Sequence, residues 1–199
     1  FKISVGRPVR PMLCERLSSA EEILSKLEGK GSAEYKYDGL RIQAHLAKKQ
    51  IQLFSRRLEN ITSQFPDVVE SLRKAVILDQ AILEGECVAA DPNTGDMLPF
   101  QVISQRRGRK YEIETMKEEI PVTVFLFDIL YADGQDFTLT PYLDRREELT
   151  KIVRESEQVR IAEGLLTENP AELEQHFDKA VSLGCEGLVV KNTGPASVY

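Results

Sequence analysis

A lysine flanked by carboxylates marks the stretch from Glu34 to Arg41, which reads Glu-Tyr-Lys-Tyr-Asp-Gly-Leu-Arg. In an extended strand, alternation places Glu34, Lys36 and Asp38 on one face and the two tyrosines on the other. A buried lysine beside carboxylates has two interpretations. The lysine either forms a structural ion pair with a carboxylate, or acts as a nucleophile whose amine has been made reactive by its surroundings.

Two further predicted strands carry carboxylates in apolar surroundings, one with Glu84 and Glu86 and the other with Glu186 followed by Lys191. A single buried acid is most often a satisfied ion pair. Three acid-bearing strands, two of them with a lysine, indicate instead a polar cleft between two sheets. The acids of this cleft could bind Mg²⁺, and its lysines could bind phosphate.

A nucleophilic role for Lys36 requires a neutral amine. A free lysine amine has a pKa of about 10.4, so making it neutral at pH 7 costs roughly 4–5 kcal/mol. Nearby carboxylates alone raise that pKa, whereas burial, a bound Mg²⁺ and cations such as Arg56 and Lys191 lower it. We therefore expect a lysine nucleophile only with metal and triphosphate bound.

Composition limits the classes of protein to consider. The 199 residues are 42% apolar and 29% charged, which allows one large domain with a packed core, or one domain with a small lobe. No apolar run reaches the roughly 20 residues of a membrane helix. Three widely spaced cysteines fit neither a disulfide framework nor a zinc site and favour a reducing, intracellular setting. Two histidines nearly exclude a histidine metal cluster or a Ser-His-Asp triad.

The net charge of −6 has the wrong sign for a chain that binds phosphate over its whole surface. Local charge still matters, because one dense basic cluster contains Arg106, Arg107, Arg109 and Lys110. By default we interpret residues 104–120 as a solvated loop or an exposed helix. Contact with a DNA backbone is the alternative for this basic cluster.

Periodicity and turn residues predict the elements that position these side chains. Pro8 and Pro11 exclude a helix from residues 1–17, which we interpret as a strap laid over the fold. Helices are predicted to begin after Ser19, at Pro66, after Pro141 and at Pro170. The helix after Pro141 is predicted to have an apolar stripe of Tyr142, Leu149, Ile152 and Val153, and the last helix one of Leu173, Phe177, Ala180 and Val181.

Strands are predicted near 33–38, 40–46, 51–54, 81–90, 122–130 and 187–191. We interpret residues 33–55 as a meander of antiparallel strands. Residues 122–130 are apolar on both faces and should form a central strand. The predicted fold is α+β, with antiparallel sheets and helices packed on their outer faces.

Lys36-Tyr37-Asp38-Gly39-Leu40-Arg41 resembles the KxDGxR signature of the covalent nucleotidyltransferases, which include DNA ligases, RNA ligases and mRNA capping enzymes. Four further blocks follow in that family's order: Phe54-Ser55-Arg56-Arg57, Leu83-Glu84-Gly85-Glu86, Phe125-Leu126-Phe127-Asp128-Ile129-Leu130-Tyr131, and Glu186-Gly187-Leu188-Val189-Val190-Lys191. Three segments resemble ATP-dependent DNA ligases of the archaeal and eukaryotic replicative type: Gly6 to Leu13, Phe127 to Tyr131, and Arg145-Arg146. The resemblance covers nearly the whole chain and implies an ATP-grasp-like catalytic core with a nucleotide cleft between its sheets.

The resemblance also implies a role for each matching residue. Lys36 would attack the α-phosphate of ATP, expel pyrophosphate and hold AMP as a covalent lysyl adduct. Glu34 would accept a hydrogen bond from the adenine amino group. Phe127 would stack on the adenine ring, although without the resemblance it would be interpreted as a core aromatic. Arg41 and Glu86 would contact the ribose hydroxyls, with Glu86 also near the metal.

The phosphate end of the site has its own implied roles. Arg56 would hold the α-phosphate or the 5′-phosphate of a nick. Glu186 would place Mg²⁺ or Mn²⁺, and Lys191 would neutralise phosphate charge as it develops. Asp38 would orient Lys36 or terminate the turn, and both alternatives stay open. Glu84 is expected on the face opposite the cleft.

The resemblance further implies an organisation and partners. Residues 1–17 would be a linker or strap, and residues 18–199 an adenylation domain from a longer intracellular protein, in the cytoplasm of an archaeon or the nucleus of a eukaryote. DNA-binding and oligonucleotide-binding (OB-fold) domains would flank it. The partners would be nicked duplex DNA in replication, repair and recombination, with a sliding clamp as an open possibility and no membrane. The piece itself would be monomeric and slow to adenylate itself.

Three alternatives remain at this point. An RNA ligase and a GTP-using capping enzyme share the same signature. A non-catalytic nucleotide-binding or DNA-clamping module would bind ATP without forming a covalent bond.

Overall fold

The computed structural model describes residues 2–48, 50–107 and 112–199. Its helices are α1 (Ala20–Lys26), α2 (Pro66–Ala75), α3 (Phe100–Ser104), α4 (Ile113–Glu119), α5 (Tyr142–Ile152) and α6 (Pro170–Ser182). Its strands are β1 (Gly31–Lys36), β2 (Leu40–Ala47), β3 (Gln50–Ser55), β4 (Gln80–Ala89), β5 (Val122–Ala132), β6 (Gln135–Asp136), β7 (Val159–Ile161), β8 (Gly164–Thr167) and β9 (Gly187–Lys191). No helix among these described residues is long and apolar enough to cross a membrane.

The strands form two sheets, which confirms the predicted mixture of helices and antiparallel sheets. The smaller sheet has the order β8-β1-β9, and the larger has the order β3-β2-β4-β5-β6. All these neighbours are antiparallel, and β7 adds one parallel pairing at β5. The larger sheet, with α2 and α5, holds the main apolar core.

The predicted meander over residues 33–55 is wrong at its first strand. β1 does not pair with β2; it lies between β8 and β9 in the smaller sheet. The chain crosses from one sheet to the other between Lys36 and Leu40. Lys36 therefore ends a strand of the smaller sheet, while Arg41 lies on a strand of the larger sheet.

The helix starts agree with the sequence patterns. Ser19 Oγ accepts a hydrogen bond from Glu22 N at 3.2 Å, and Asn169 Oδ1 accepts one from Ala171 N at 2.9 Å. These bonds satisfy amide groups that the first turn of a helix leaves free. The predicted apolar stripe of α6 is only half correct. Leu173 and Ala180 are buried, whereas two other predicted members, Phe177 and Val181, are 46% and 48% exposed.

The basic cluster is not simply a solvated loop, and that interpretation is wrong at Arg106. Its side chain is completely buried, donates from Nη1 to Asp67 Oδ2 at 2.8 Å, and donates from Nη2 to the Gln64 carbonyl at 3.0 Å. A buried cation needs such partners, because an unpaired charge in a low-dielectric interior is very costly. Arg109 and Lys110 lie outside the described residues.

The first seventeen residues contain no helix or strand in the described part, residues 2–17, and they contact β2. The amide of Gly6 donates to Nδ1 of His45 at 2.9 Å. Val9 exchanges two bonds with the Gln43 side chain, at 2.8 and 2.9 Å. Since Gln43 Oε1 also lies 2.8 Å from His45 Nε2, one buried polar network joins this segment to the larger sheet.

His45 should make the stability of the fold depend on pH. The neutral ring accepts the Gly6 amide hydrogen, and burial lowers the pKa of His45 from 6.5 to about 4. The unfolded chain therefore takes up the proton first as pH falls. The contribution of neutral His45 to the free energy of unfolding is therefore fully present above pH 6.5. It decreases by up to about 3 kcal/mol as the pH falls to 4 and below.

Urea unfolding at pH 7 and pH 4 measures this effect. The variant His45→Gln has no titrating ring and should show a smaller loss of unfolding free energy between the two pH values. Equal losses in the two proteins would contradict the assignment to His45.

Candidate active site

Lys36 and Glu186 are held together by backbone and side chain. Lys36 lies opposite Gly187 in the β1–β9 pairing, and the amide of Glu186 donates to the Lys36 carbonyl at 2.8 Å. Lys36 Nζ forms an ion pair with the Glu186 carboxylate. The two side chains are 47% and 44% exposed, so the expectation of a buried lysine is wrong. The exposed amine is open to a substrate.

Asp38 follows the lysine strand and contacts α3. Its Oδ2 accepts a hydrogen bond from the Phe100 amide at 3.1 Å. This bond supports the turn-fixing alternative, since it ties the junction between the two sheets to the first residue of α3. Orientation of Lys36 by Asp38 stays a prediction.

Two motif glycines are required by close approaches of backbone. A Cβ at Gly39 would lie 2.2 Å from the Cys87 carbonyl oxygen, and one at Gly85 would lie 2.6 Å from the Phe125 carbonyl oxygen. Both obstacles are main-chain atoms of neighbouring strands, which cannot rotate away as a side chain can. The turn after Lys36 can therefore pass over β4 only without a side chain at position 39.

We expect Gly39→Ala to destabilise the chain by roughly 2 kcal/mol, because the added methyl group forces β2 and β4 to shift. Urea unfolding measures the change. Gly194→Ala is the matched control, since its nearest obstacle is the side-chain oxygen of Asn192 at 3.2 Å. A Gly39→Ala chain as stable as this control would refute the steric argument.

Arg41 lies beside both acids of β4. It lies opposite Glu86 in the β2–β4 pairing, and its Nη2 donates to Glu84 Oε2 at 3.0 Å. Glu84 is almost completely buried. The expectation that Glu84 lies on the face opposite the cleft is therefore wrong, because Glu84 and Glu86 are two residues apart in one strand and share a face.

Glu86 lies among most of the charged residues that the sequence singled out. The pKa of Glu86 is raised from 4.5 to about 7, mainly by burial and further by nearby Asp38, although three cations oppose the shift. Those cations are Arg41, Lys36 and Arg56. Arg56 itself is exposed at the end of β3, with no hydrogen bond or ion pair to another described residue. Cationic side chains around one acid suit an anionic ligand that binds together with a metal cation.

A second group of side chains surrounds Phe127 on β5. Lys191 Nζ lies 4.4 Å from the centre of the Phe127 ring, and the Arg41 guanidinium carbon lies 4.8 Å from it. Lys191 also donates to Oε1 of the buried Glu34 at 3.0 Å. Glu34, Arg41, Phe127 and Lys191 therefore lie together, as the sequence reasoning required.

The structure adds one residue that sequence reasoning placed only in an apolar helix stripe. The hydroxyl of Tyr142 is hydrogen-bonded to the Glu34 carboxylate and lies 3.2 Å from Lys191 Nζ. A tyrosine at a buried stripe position needs a partner for its hydroxyl. This requirement could have marked Tyr142 as a candidate site residue from the sequence, although it does not identify the hydrogen-bond partner of the hydroxyl.

The candidate metal ligands are few. Among the described residues, no group of three or more His, Cys, Asp or Glu side chains is arranged to hold a metal ion. Glu186 is paired with Lys36, and Glu86 is the other predicted carboxylate. Any cation here would need further oxygen ligands from a substrate.

Residues 11–199 match the family described as ATP dependent DNA ligase domain. The DNA ligase of Hyperthermus butylicus is 51% identical over 199 residues, which are 100% of this chain and 33% of that protein. The DNA ligase of Thermoplasma volcanium is 44% identical over 192 residues, which are 96% of this chain and 33% of that protein. The chain thus spans about a third of the length of these curated relatives.

Solved structures of ligases have the same fold. A mycobacterial DNA ligase D complexed with ATP and MES is similar with a TM-score of 0.59 and 26% identity, over 82% of this chain and 48% of that one. A Chlorella virus DNA ligase-adenylate is similar in fold with a TM-score of 0.61 and 21% identity, over 94% of this chain and 61% of that one. The resemblance inferred from the motifs is confirmed, and the chain belongs to the family of ATP-dependent DNA ligase adenylation domains.

Proposed function

We propose that Lys36 Nζ attacks the α-phosphorus of ATP. A nitrogen–phosphorus bond forms, the bond to the bridging oxygen breaks, and pyrophosphate leaves with the electron pair while the amine loses its proton. The product is lysyl-AMP. The observation that carries the proposal is the half-exposed Lys36 amine beside Glu186, in a site where Glu86 also faces Arg41 and Arg56.

Glu34 and Phe127 bind the base in this proposal, and Lys191 binds the phosphates. Adenine stacks on the Phe127 ring, and its amino group donates to Glu34. Lys191 now lies against that same ring and carboxylate. Binding of the nucleotide therefore moves the flexible lysine toward the phosphates, where its charge neutralises the transition state.

Arg41 and Glu86 bind the ribose hydroxyls, and Arg56 binds the α-phosphate. Arg56 suits this role because it is exposed and makes no bond to another described residue that would have to be broken. Its planar guanidinium can donate two parallel bonds to one phosphate group. In the later transfer the same arginine holds the 5′-phosphate of a nick.

In this proposal the site also binds a divalent cation. Burial raises the pKa of Glu86 to about 7, so the ionised form of this acid gains from a cation that replaces its lost hydration. Glu86 and Glu186 would hold Mg²⁺ or Mn²⁺ together with phosphate oxygens, which are the hard ligands that Mg²⁺ prefers. The ion supplies charge neutralisation at the phosphates.

The wider reaction extends beyond this chain. Residues 1–17 form a linker in this proposal, and residues 18–199 form the adenylation unit. AMP passes from Lys36 to the 5′-phosphate of a DNA nick, and the 3′-hydroxyl then displaces it. The curated relatives are about three times as long as this chain, and in this proposal the additional length holds DNA-binding and OB-fold domains that position the nick.

Intact-mass measurement of the purified chain tests the proposal, before and after Mg-ATP and again after excess pyrophosphate. We expect one added AMP that pyrophosphate removes. GTP in place of ATP should give no adduct. Because self-adenylation is expected to be slow, ATP binding without any adduct after prolonged incubation would overturn the proposal in favour of a non-catalytic nucleotide-binding module.

A further inference from the structure

Tyr142 is the first residue of α5 and is 3% exposed. Its hydroxyl has three polar neighbours: the Glu34 carboxylate, Lys191 Nζ at 3.2 Å and the Phe127 carbonyl oxygen at 3.4 Å. All three belong to residues of the proposed nucleotide site. The hydroxyl therefore lies inside the pocket, although its residue belongs to the helix layer.

The two oxygens of Glu34 have different partners. Oε2 accepts from the Tyr142 hydroxyl and, more weakly, from Ser32 Oγ at 3.4 Å, while Oε1 accepts from Lys191 Nζ at 3.0 Å. Only the lysine is a long, flexible chain that a phosphate could attract away. When it leaves, Oε1 becomes available and Oε2 remains bound.

We propose that Tyr142 is a positioning residue, which fixes Glu34 so that Oε1 accepts from the adenine amino group and rejects guanine. The inference rests on the proposed function, because it needs Glu34 to bind the base. Adenine presents an amino donor at the position where guanine presents a carbonyl acceptor. A fixed carboxylate oxygen attracts the first and repels the second, whereas a mobile carboxylate can turn away.

Tyr142 itself is well held. Its amide donates to Ser197 Oγ at 3.0 Å, and the Arg145 guanidinium carbon lies 5.4 Å from the centre of its ring. Burial and the nearby Glu34 raise the pKa of Tyr142 well above its ordinary value. The hydroxyl consequently keeps its proton and stays a donor to the carboxylate.

The test compares equilibrium binding of AMP and GMP to the chain by calorimetry. Neither probe carries a pyrophosphate leaving group, so the measurement does not depend on Lys36 chemistry. Tyr142→Phe should reduce the preference for AMP over GMP about tenfold, since a hydrogen bond to a charged group is lost. Tyr131→Phe is the matched control: its hydroxyl donates to Gln80 at 3.3 Å, and the preference should not change.

A double variant shows whether the effect acts through Glu34. In a Glu34→Gln background, Tyr142→Phe should leave the AMP-to-GMP ratio unchanged, because there is no carboxylate to position. An unchanged ratio for Tyr142→Phe alone overturns the inference. So does a tenfold fall that persists in the Glu34→Gln background.

Folding of Tyr142→Phe is checked by thermal melting. If that variant does not fold, 3-fluorotyrosine at position 142 replaces it, since it keeps the ring and strengthens the donor. The nucleotide preference should then rise, and an unchanged preference counts against the inference. If the unmodified chain forms no ATP adduct, the proposed function is refuted, whatever the nucleotide preference of the Tyr142 variants.

Discussion

Lys36→Arg should abolish the AMP adduct while the chain still binds ATP. Arginine keeps the positive charge and can still pair with Glu186, but its guanidinium stays protonated and is not a nucleophile. Removal of a nucleophile can cost on the order of 10⁶ in rate, so no adduct should be detectable by intact mass. The measurement therefore separates the nucleophilic role of Lys36 from its charge.

Lys26→Arg is the matched control. Lys26 is also an exposed lysine in an ion pair, with Glu15 as its partner, and it lies on α1 rather than at the junction of the sheets. This variant should form the adduct at the normal rate. An adduct on the Lys36→Arg chain would place the modification on another residue and remove the basis of the proposed mechanism.

Local signals explain what the sequence predicted well. Ser19 and Asn169 begin helices because the Ser19 side chain accepts from the amide three residues on, and the Asn169 side chain from the amides two and three residues on. The strand at Val122–Ala132 follows from its own apolar run, which needs cover on both faces. The motif residues could likewise be placed on strands, because alternation along one strand is a local property.

Long-range pairing explains what the sequence did not predict. Nothing in residues 31–36 says that their partners are β8 and β9, more than a hundred residues away, rather than the adjacent β2. The same limit applies to Arg106, whose burial depends on Asp67. Tyr142 joins the pocket only because α5 packs against β5 near the smaller sheet. Each of these contacts is fixed by tertiary packing, and the intrinsic secondary-structure propensities of the residues do not predict that packing.

Arg145 links this helix to the strand that carries Phe127. Its Nε donates to Asp128 Oδ1 at 2.8 Å and its Nη2 to Asp128 Oδ2 at 3.2 Å, with side chains only 3% and 6% exposed. Its Nη1 also donates to the Ser197 carbonyl at 3.0 Å. One buried guanidinium thus joins β5, α5 and the residues that follow β9.

Arg145→Ala should lower the free energy of unfolding by about 3–5 kcal/mol, because it leaves the Asp128 carboxylate buried without its cation. Urea unfolding measures the loss. The double variant Arg145→Met with Asp128→Leu should recover part of the lost free energy, since apolar side chains need no partner there.

Lys151→Ala on the same helix is the control. Its ion pairs are exposed and 3.9 Å long, so this variant should lose almost no free energy of unfolding. A loss for Arg145→Ala no larger than for Lys151→Ala would mean that the buried pair does not hold the helix to the sheet.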